Sequence, residues 1–201
     1  MINKKSLIIS NDNPYLVFKK WYQEACQKEI NDPNAMTLST ISKSYKPSSR
    51  IVLLKDYDHE GFVFYTNKNS KKGKSIKFNP NVALNFHWKS LLKQVRVEGK
   101  VKELSKLEAD TYFNSRPEKS RIGAWASDQS RQLSNRKELL ENINYYAKKF
   151  SKTKIPRPSY WTGFKVKPTL IEFWQDMPFR LHDRLEYKKV GKNWIIKKLF
   201  P

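Results

Sequence analysis

The chain has 201 residues, enough for one domain with a substantial core, and its 38% hydrophobic and 13% aromatic content excludes a disordered basic tail. Lys and Arg number 40 against 19 Asp and Glu, a formal charge of +21 that favours anionic partners such as nucleic acid, an acidic membrane surface or phosphorylated small molecules. A general compositional bias towards Lys, Asn and Ile explains the bulk charge equally well, so only locally placed cations can decide the question.

The single cysteine, Cys26, excludes an internal disulfide framework and fits a reducing compartment. It falls in an amphipathic stretch and is predicted to be a small core residue rather than a nucleophile. The first ten residues contain only a short apolar run broken by serine, which is too short for a signal peptide. No later stretch approaches a membrane span, so we expect a cytoplasmic protein with no membrane partner.

The first half of the chain predicts one helix and then mostly strands. NDN (11–13) and Pro14 predict a helix cap and first turn, with one helical face up to about residue 30. After a turn at DPNAM (32–36), strands bounded by Gly, Pro, Asn and Asp are predicted at MTLSTIS (36–42), SRIVLLK (49–55), GFVFYTN (61–67), NVALNFHW (81–88) and KQVRVEGKVKEL (93–104). SKKGKSIKF (70–78) is predicted to be a short helix between two of them.

The second half predicts two helices and a return to strands. Ser105 and Glu108 form a capping-box pattern that opens a helix through about residue 114, and a longer helix runs from Ser134 to about residue 152. The later predicted strands are SYWTGFKV (159–166), TLIEFWQ (169–175), RLHDRLEY (180–187) and NWIIKKLF (193–200).

No repeat, low-complexity linker or charge block divides the chain, so we predict a single domain over residues 1–201, with residues 1–13 as a flexible N-terminal segment. The fold class expected is mainly β, an antiparallel barrel with flanking helices. Pairing between the strands at the two ends of the chain would close the barrel. No Gly-x-Gly-x-x-Gly or P-loop is present, and the three histidines lack the spacing and partners of a metal site, so none is expected.

Cations are concentrated in four segments. Read as a strand, FRLHDRLEY (179–187) places Arg180, His182 and Arg184 on one face, although three such groups repel one another. In SSRIVLLK (48–55), strand alternation points Arg50 and Lys55 to opposite faces.

The other two segments involve predicted helices only in part. YTNKNSKK (65–72) ends at a helix start, where free N–H groups favour an anion. YFNSRPEKS (112–120) spaces Tyr112, Arg116 and Ser120 as one helical face. Each segment alone is weak evidence, because a surface Lys or Arg is usually only solvated. Together they indicate phosphate recognition.

The order of these segments resembles the pyridoxamine 5′-phosphate oxidase family from about residue 14 to the C-terminus. The motifs that carry the resemblance are SRIVLLK, GFVFYTN followed by SKKG, QVRVEG, YFNSRPEKSRIGAWAS followed by QS, PSYWTGF, IEFWQ and RLHDR. The resemblance implies an FMN-binding split β-barrel that works as a homodimer with flavin sites at the subunit interface. It also implies FMN-dependent oxidation of pyridoxamine and pyridoxine 5′-phosphate to pyridoxal 5′-phosphate, with O₂ reduced to H₂O₂.

The resemblance also implies roles for single residues. Those that would bind the flavin are Arg50, Ile51, Val52, Leu53, Leu54, Lys55, Tyr65, Thr66, Lys71, Lys72, Gln94, Gln129, Ser130, Trp174 and Arg184. Those that would bind the substrate are Lys55, Tyr112, Arg116, Ser120, Arg180, Leu181 and His182, with Arg180 and His182 as the catalytic pair at the pyridine ring. The like-charged face of RLHDR would then be tolerated because it meets a flavin and an anionic substrate.

The sequence departs from the family pattern in places. Lys71 stands where Arg is usual, Thr162-Gly163 replaces a Gly pair, and DMPF (176–179) replaces a glycine-bearing turn. Residues 1–13 contain no match to the family's N-terminal Arg-x-x-Tyr segment. These departures leave the residues of the flavin site largely intact.

Two other functions remain open from the sequence. A split-barrel protein that only binds or stores flavin would keep the fold, but it has no need of a second phosphate site at Arg116. A basic nucleic-acid-binding barrel fits the charge of +21 and the six tryptophans, although the aromatics fall mostly in strand-core rhythm. We favour the enzyme, with phosphorylated B6 vitamers and O₂ as partners and no nucleic acid.

Overall fold

The structure is a computed structural model that describes Ile8 and residues 10–201. Within these residues nine antiparallel strands form one curled sheet. The strands are β1 (Ala35–Ile41), β2 (Pro47–Leu53), β3 (Asp56–Asp58), β4 (Gly61–Asn67), β5 (Asn81–Trp88), β6 (Lys93–Glu103), β7 (Trp161–Gln175), β8 (Asp183–Val190) and β9 (Asn193–Lys198). The helices are α1 (Pro14–Lys28), α2 (Lys71–Phe78), α3 (Lys106–Ser115), α4 (Glu118–Ala126) and α5 (Arg136–Phe150), and short 3₁₀ turns lie at Lys89–Leu91 and Pro178–Arg180.

Strand β7 is the strand around which the sheet is organised. The sheet order is β2-β1-β5-β6-β7-β4-β3, with β8 paired to β7 and β9 paired to β8. One edge of β7 pairs with β6 along nearly its whole length, while the other edge pairs first with β4 and then with β8. The two halves of β7 therefore serve two different parts of the barrel.

The strands predicted at residues 159–166 and 169–175 are one continuous strand, β7, so the prediction of two separate strands is wrong. Pro168, which lacks a backbone N–H for strand pairing, lies between the two predicted segments. The structure continues the strand through a register shift between Glu98 and Gly99 of β6, opposite Pro168. A Cβ at Gly99 would collide with the backbone carbonyl of Lys167, so glycine allows the close approach.

Helix α1 was predicted correctly and covers the core. The side chain of Asn13 accepts a hydrogen bond from the N–H of Tyr15, which caps the helix start. The ring of Phe18 is fully buried and meets those of Phe62 and Phe86 edge-on, with centroids 4.8 and 5.2 Å away. The prediction of a core position for Cys26 is wrong: it is exposed.

The capping box at Ser105 and Glu108 is confirmed, and α3 ends close to its predicted limit. The expected single helical face through Ser120 is wrong, because Arg116 is extended at φ −73° and ψ 148° and a second helix, α4, starts after Pro117. A residue before proline is disfavoured in the α region, which explains the break. Behind the two helices, α5 and the start of β7 enclose a second, smaller core.

The predicted strand over RLHDRLEY is wrong in its first half. Strand β8 begins only at Asp183, and Arg180 lies in the 3₁₀ turn instead. Phe179 and Arg180 have φ values of 60° and 61°, which interrupt any extended strand there. Arg180, His182 and Arg184 therefore do not share one strand face.

The two ends of the chain meet without strand pairing, so the expected barrel closure by terminal strands is also wrong within the described residues. The N–H of Ile8 donates to Asp183 Oδ2 at 3.0 Å, and the Tyr187 hydroxyl donates to the carbonyl of Asn11 at 3.0 Å. The prediction of a flexible segment over residues 1–13 falls mostly outside the described residues. No helix in the described part is long and apolar enough to cross a membrane.

Candidate anion-binding cleft

A cleft of about 800 Å³ opens between the sheet and helices α2, α3 and α4. Its walls come from the end of β2, the end of β4 and the junction of α3 with α4, where the breaks in regular structure leave room. The residues that line it are Ile51, Val52, Leu53, Lys55, Tyr65, Thr66, Asn67, Lys72, Tyr112, Ser115, Arg116, Pro117, Ser120, Gly123, Ala124, Ser127, Gln129 and Trp161. This lining contains three cations and no carboxylate.

Lys72 is the most buried of these cations, with 8% of the residue exposed. Its Nζ donates to Thr66 Oγ1 at 3.3 Å and to Gln129 Oε1 at 3.2 Å, both neutral acceptors. Burial, and then the positive charge of Arg50, lowers the pKa of Lys72. A buried ammonium that lacks a counter-ion is unfavourable by itself, so this position favours an anionic ligand.

Arg116 is a second cation of the same kind. Its Nη1 is buried and has no hydrogen-bond partner within the part of the chain that the structure describes, and its guanidinium lies over the ring of Trp161 at 4.8 Å. Burial lowers the pKa of Arg116, which remains far above neutral. An unsatisfied donor on a permanent cation is the feature expected where a ligand oxygen supplies the missing bond.

An aromatic stack forms one wall of the cleft. The rings of Tyr65 and Tyr112 are stacked with centroids 3.9 Å apart, and Trp161 lies 5.2 Å from Tyr65 on a nearly parallel plane. Burial raises the pKa of Tyr65 to about 12, so its hydroxyl stays protonated at neutral pH and can donate a hydrogen bond. Gly163, opposite Tyr65 in the β4–β7 pair, lets the ring lie against the strand.

We expect Gly163→Ala to destabilise the protein by about 1–3 kcal/mol, because the added methyl group overpacks the wall. A Cβ there would lie 2.6 Å from both Tyr65 Cε1 and Leu104 Cδ1. Gly123→Ala is the matched control, since a Cβ there meets nothing within 4 Å and alanine favours the helix by roughly 0.5–1 kcal/mol. Urea unfolding of both variants measures the difference, and equal stabilities would contradict the close contact at Gly163.

A second group of polar residues lies at the other end of β7. Gln94, Trp174 and Arg184 are cross-strand neighbours on β6, β7 and β8. Arg184 Nε donates to Oε1 of the buried Glu172 at 2.8 Å, and this hydrogen bond is the main reason that its pKa is raised. The ring of His182 packs on Trp174 with centroids 4.6 Å apart.

The two groups are associated with opposite ends of β7, and the second group is absent from the cleft lining. Trp161 of the cleft wall is the first residue of β7, and Trp174 is its last residue but one. At about 3.3 Å per residue, a straight strand would separate them by roughly 40 Å. The cleft of a single subunit therefore does not gather the whole set of residues that the sequence suggested.

The site residues predicted from the sequence therefore fall into two sets, one that lines the cleft and one that lies outside its lining. Those that line the cleft are Ile51, Val52, Leu53, Lys55, Tyr65, Thr66, Lys72, Gln129, Tyr112, Arg116 and Ser120. Those outside its lining are Arg50, Leu54, Lys71, Ser130, Gln94, Trp174, Arg180, Leu181, His182 and Arg184. Leu54 is buried in the core, and the guanidinium of Arg50 is bonded to Thr40 Oγ1 at 2.8 Å. Strand β2 ends at Leu53, so strand alternation does not extend to Lys55, and the prediction that Arg50 and Lys55 point to opposite faces stays a prediction.

Sequence reasoning gave no role to several lining residues, namely Asn67, Ser115, Pro117, Gly123, Ala124, Ser127 and Trp161. Trp161 matters most, because it contacts both the tyrosine stack and Arg116. In the sequence it looks like an ordinary strand aromatic, and its place in PSYWTGF was the only available signal.

The curled antiparallel sheet and the cationic cleft, whose lining has no carboxylate among the described residues, define a class: a split barrel with flanking helices. Residues 22–149 match the family described as pyridoxamine 5′-phosphate oxidase, and residues 161–201 match the pyridoxine 5′-phosphate oxidase C-terminal dimerisation region. The chain belongs to the pyridoxine/pyridoxamine 5′-phosphate oxidase family, whose members are oxidoreductases. The family resemblance and the fold class inferred from the sequence are both confirmed.

Named relatives agree with this assignment. The chain is 50% identical over 194 residues to a pyridoxine/pyridoxamine 5′-phosphate oxidase from Caulobacter vibrioides, covering 96% of this chain and 87% of that one. It is 52% identical over 195 residues to one from Granulibacter bethesdensis, covering 94% and 92%.

Solved structures share the fold. PhzG from Burkholderia lata, in complex with tetrahydrophenazine-1-carboxylic acid, has a TM-score of 0.89 at 26% identity over 95% of this chain and 94% of that one. An FMN-binding protein from Nostoc punctiforme has a TM-score of 0.73 at 12% identity over 92% and 97%, a likeness of fold alone.

Proposed function

We propose that the protein oxidises pyridoxine 5′-phosphate and pyridoxamine 5′-phosphate to pyridoxal 5′-phosphate, with FMN as cofactor and O₂ reduced to H₂O₂; the amine substrate also consumes one water and releases its nitrogen as ammonia. The observation that carries this proposal is the pair of buried cations, Lys72 and Arg116, in a cleft whose lining has no carboxylate. FMN and a phosphorylated B6 vitamer each bring one phosphate, so two cationic positions suit this pair of ligands. The names of the relatives support the same substrates.

The residues around Lys72 fit the phosphate of FMN. The ammonium has only the neutral Thr66 and Gln129 as partners, and it lies in the first turn of α2, where backbone N–H groups also favour an anion. The apolar side chains at the end of β2 offer a surface for the flavin ring. When bound, FMN accepts the electrons that leave the substrate and passes them to O₂.

The residues around Arg116 fit the phosphate of the substrate. The guanidinium can donate from its unsatisfied Nη1, and Tyr112 and Ser120 carry hydroxyls into the same cleft. Trp161 and Phe113 pack on the guanidinium at 4.8 and 5.7 Å and hold it in place. A binder of flavin alone would not need this second position, which favours the enzyme over the flavin-binding alternative.

The proposed site needs two subunits. Trp174, His182 and Arg184 are absent from the cleft lining of their own chain, and all three fall in the region that matches a dimerisation region. In a homodimer, this group on one subunit would complete the cleft of the other. Arg180 would then orient the substrate and stabilise developing charge, His182 would hydrogen-bond it, and Arg184 would contact the flavin.

We expect the purified protein to bind one FMN per subunit and to produce H₂O₂ when pyridoxine 5′-phosphate is added in air. Absorbance of the bound flavin gives the stoichiometry, and a peroxidase-coupled assay follows turnover. Flavin binding without turnover of either vitamer would favour the flavin-binding alternative. A protein that stays colourless after FMN addition would contradict both. The cytoplasmic location stays a prediction.

A further inference from the structure

We propose that Asp176 is a positioning residue that fixes His182 in the tautomer with a proton on Nδ1. The imidazole then has its only acceptor at Nε2. The inference rests on the proposed function, because it gives His182 a place at the substrate. It concerns a residue of the DMPF loop, where this sequence departs from the family pattern.

Two groups compete for Nδ1 of His182. Asp176 Oδ1 lies 2.9 Å from it, and the backbone N–H of Met177 points to the same atom at 3.4 Å. A carboxylate only accepts, so it requires a proton on Nδ1, whereas the N–H of Met177 requires a bare Nδ1. The shorter, charge-assisted bond to Asp176 is the stronger of the two and sets the tautomer.

The backbone at Asp176 is anchored to Leu92, which follows the 3₁₀ turn at Lys89–Leu91. The N–H of Asp176 donates to the carbonyl of Leu92 at 2.9 Å, and Gln175 Nε2 donates to the same carbonyl at 3.1 Å. Trp174 supports the imidazole, whose side chain is only 18% exposed. The imidazole and the backbone that carries the carboxylate are therefore both held in place before any ligand arrives.

The tautomer matters for the chemistry of the proposed substrates. Both carry a hydrogen-bond donor on the carbon that is oxidised, an amine in one and a hydroxyl in the other. A bare Nε2 can accept a hydrogen bond from either group. A proton on Nε2 would instead face the donor of the substrate with another donor, and no hydrogen bond could form. One fixed tautomer would thus serve both substrates.

The tautomer can be measured without turnover, from the ¹⁵N shifts of the ring nitrogens in the FMN-loaded protein at alkaline pH. Asp176→Ala leaves the Met177 N–H as the partner of Nδ1, so we expect the proton to move from Nδ1 to Nε2. His59 and His87 serve as internal references, and His182→Asn assigns the signal. The same tautomer in wild type and Asp176→Ala would overturn the proposal.

Kinetics give a second, independent test. We expect Asp176→Ala to lower kcat by about ten- to a hundredfold, the size of effect seen when a residue that orients an active histidine is removed. Asp176→Asn should be no better, because its amide can donate to a bare Nδ1 and favour the wrong tautomer. Asp176 belongs to neither hydrophobic core and is not one of the residues predicted to bind the flavin, so melting temperature and FMN content should not change.

A double-mutant cycle separates this role from a structural one. In a His182→Ala background, Asp176→Ala should cause no further loss, and Glu141→Ala, which removes an exposed carboxylate from α5, should match wild type. The proposal would be overturned if Asp176→Ala lowered kcat by the same factor in the His182→Ala background as in the wild-type background, or if Asp176→Ala kept full activity in the wild-type background. A wild-type protein that oxidises neither vitamer would refute the proposed function, while the tautomer comparison would still decide the role of Asp176.

Discussion

Arg116→Ala is expected to weaken binding of pyridoxine 5′-phosphate by about ten- to a hundredfold while FMN stays bound. A hydrogen bond from a charged donor contributes roughly 1.5–3 kcal/mol, which corresponds to this range. Among the described residues the buried Nη1 has no hydrogen-bond partner, an unfavourable feature that offsets the packing of the guanidinium on Trp161 in the free protein. We therefore expect the melting temperature of the variant to be unchanged or higher, as happens where a site is maintained for binding at the expense of stability.

The measurements are the KM for pyridoxine 5′-phosphate, the dissociation constant of FMN and the melting temperature. Lys119→Ala is the matched control, since it removes a positive charge from an exposed position of α4 outside the cleft lining. Equal losses of substrate and flavin affinity would assign Arg116 to the flavin. No loss of either would mean that it only ends helix α3.

The second large effect separates two arginines of the RLHDR motif. Arg184→Ala is expected to weaken FMN binding by about ten- to a hundredfold, because a charged donor held by Glu172 and by the carbonyl of Phe200 is lost. Arg180→Ala is expected to lower turnover by a similar factor with FMN retained. Arg180 lies in a turn at φ 61°, outside the strand that carries Arg184.

Arg184→Ala also removes one of the arginines that bind the buried Glu172 carboxylate, so a control for the loss of this ion pair is needed. Arg96 Nη1 binds Oε2 of the same carboxylate at 2.8 Å, and Arg96→Ala removes this bond without removing a predicted flavin residue. Flavin content, steady-state turnover and melting temperature of the three variants decide the outcome. If Arg180→Ala and Arg184→Ala lose the same property, the proposed division between substrate and flavin is wrong.

The elements predicted correctly are those with short-range causes. The cap at Asn13, the capping box at Ser105 and the alternating pattern of β5 each involve residues a few positions apart, so the sequence itself contains the interaction. The DMPF loop is different, because its turn uses positive φ at Phe179 and Arg180 instead of at glycine. The neighbouring sequence does not indicate that Phe179 and Arg180 adopt this conformation, so a strand was predicted to begin at Arg180.

The composition of the site was also beyond prediction from local sequence, because it depends on residues far apart in the chain. The family resemblance implied site residues both around the cleft and around Trp174. Of these, the structure brings only the residues around Lys72 and Arg116 into one cleft. Which of them share a cleft depends on the course of β7, which passes Pro168 without ending. That continuity is a property of the pairing with β6 and is absent from the periodicity of β7 alone.

The length of β7 has a consequence for the working concentration of the protein. Under the proposed arrangement, each subunit contributes its cleft to one site and the opposite end of the strand to the other, so neither site exists in an isolated chain. Dilution below the dissociation constant of the dimer would abolish both sites together, even though every fold element stayed intact. Activity would then fall faster than protein concentration, and catalysis would be a property of the pair and not of the chain.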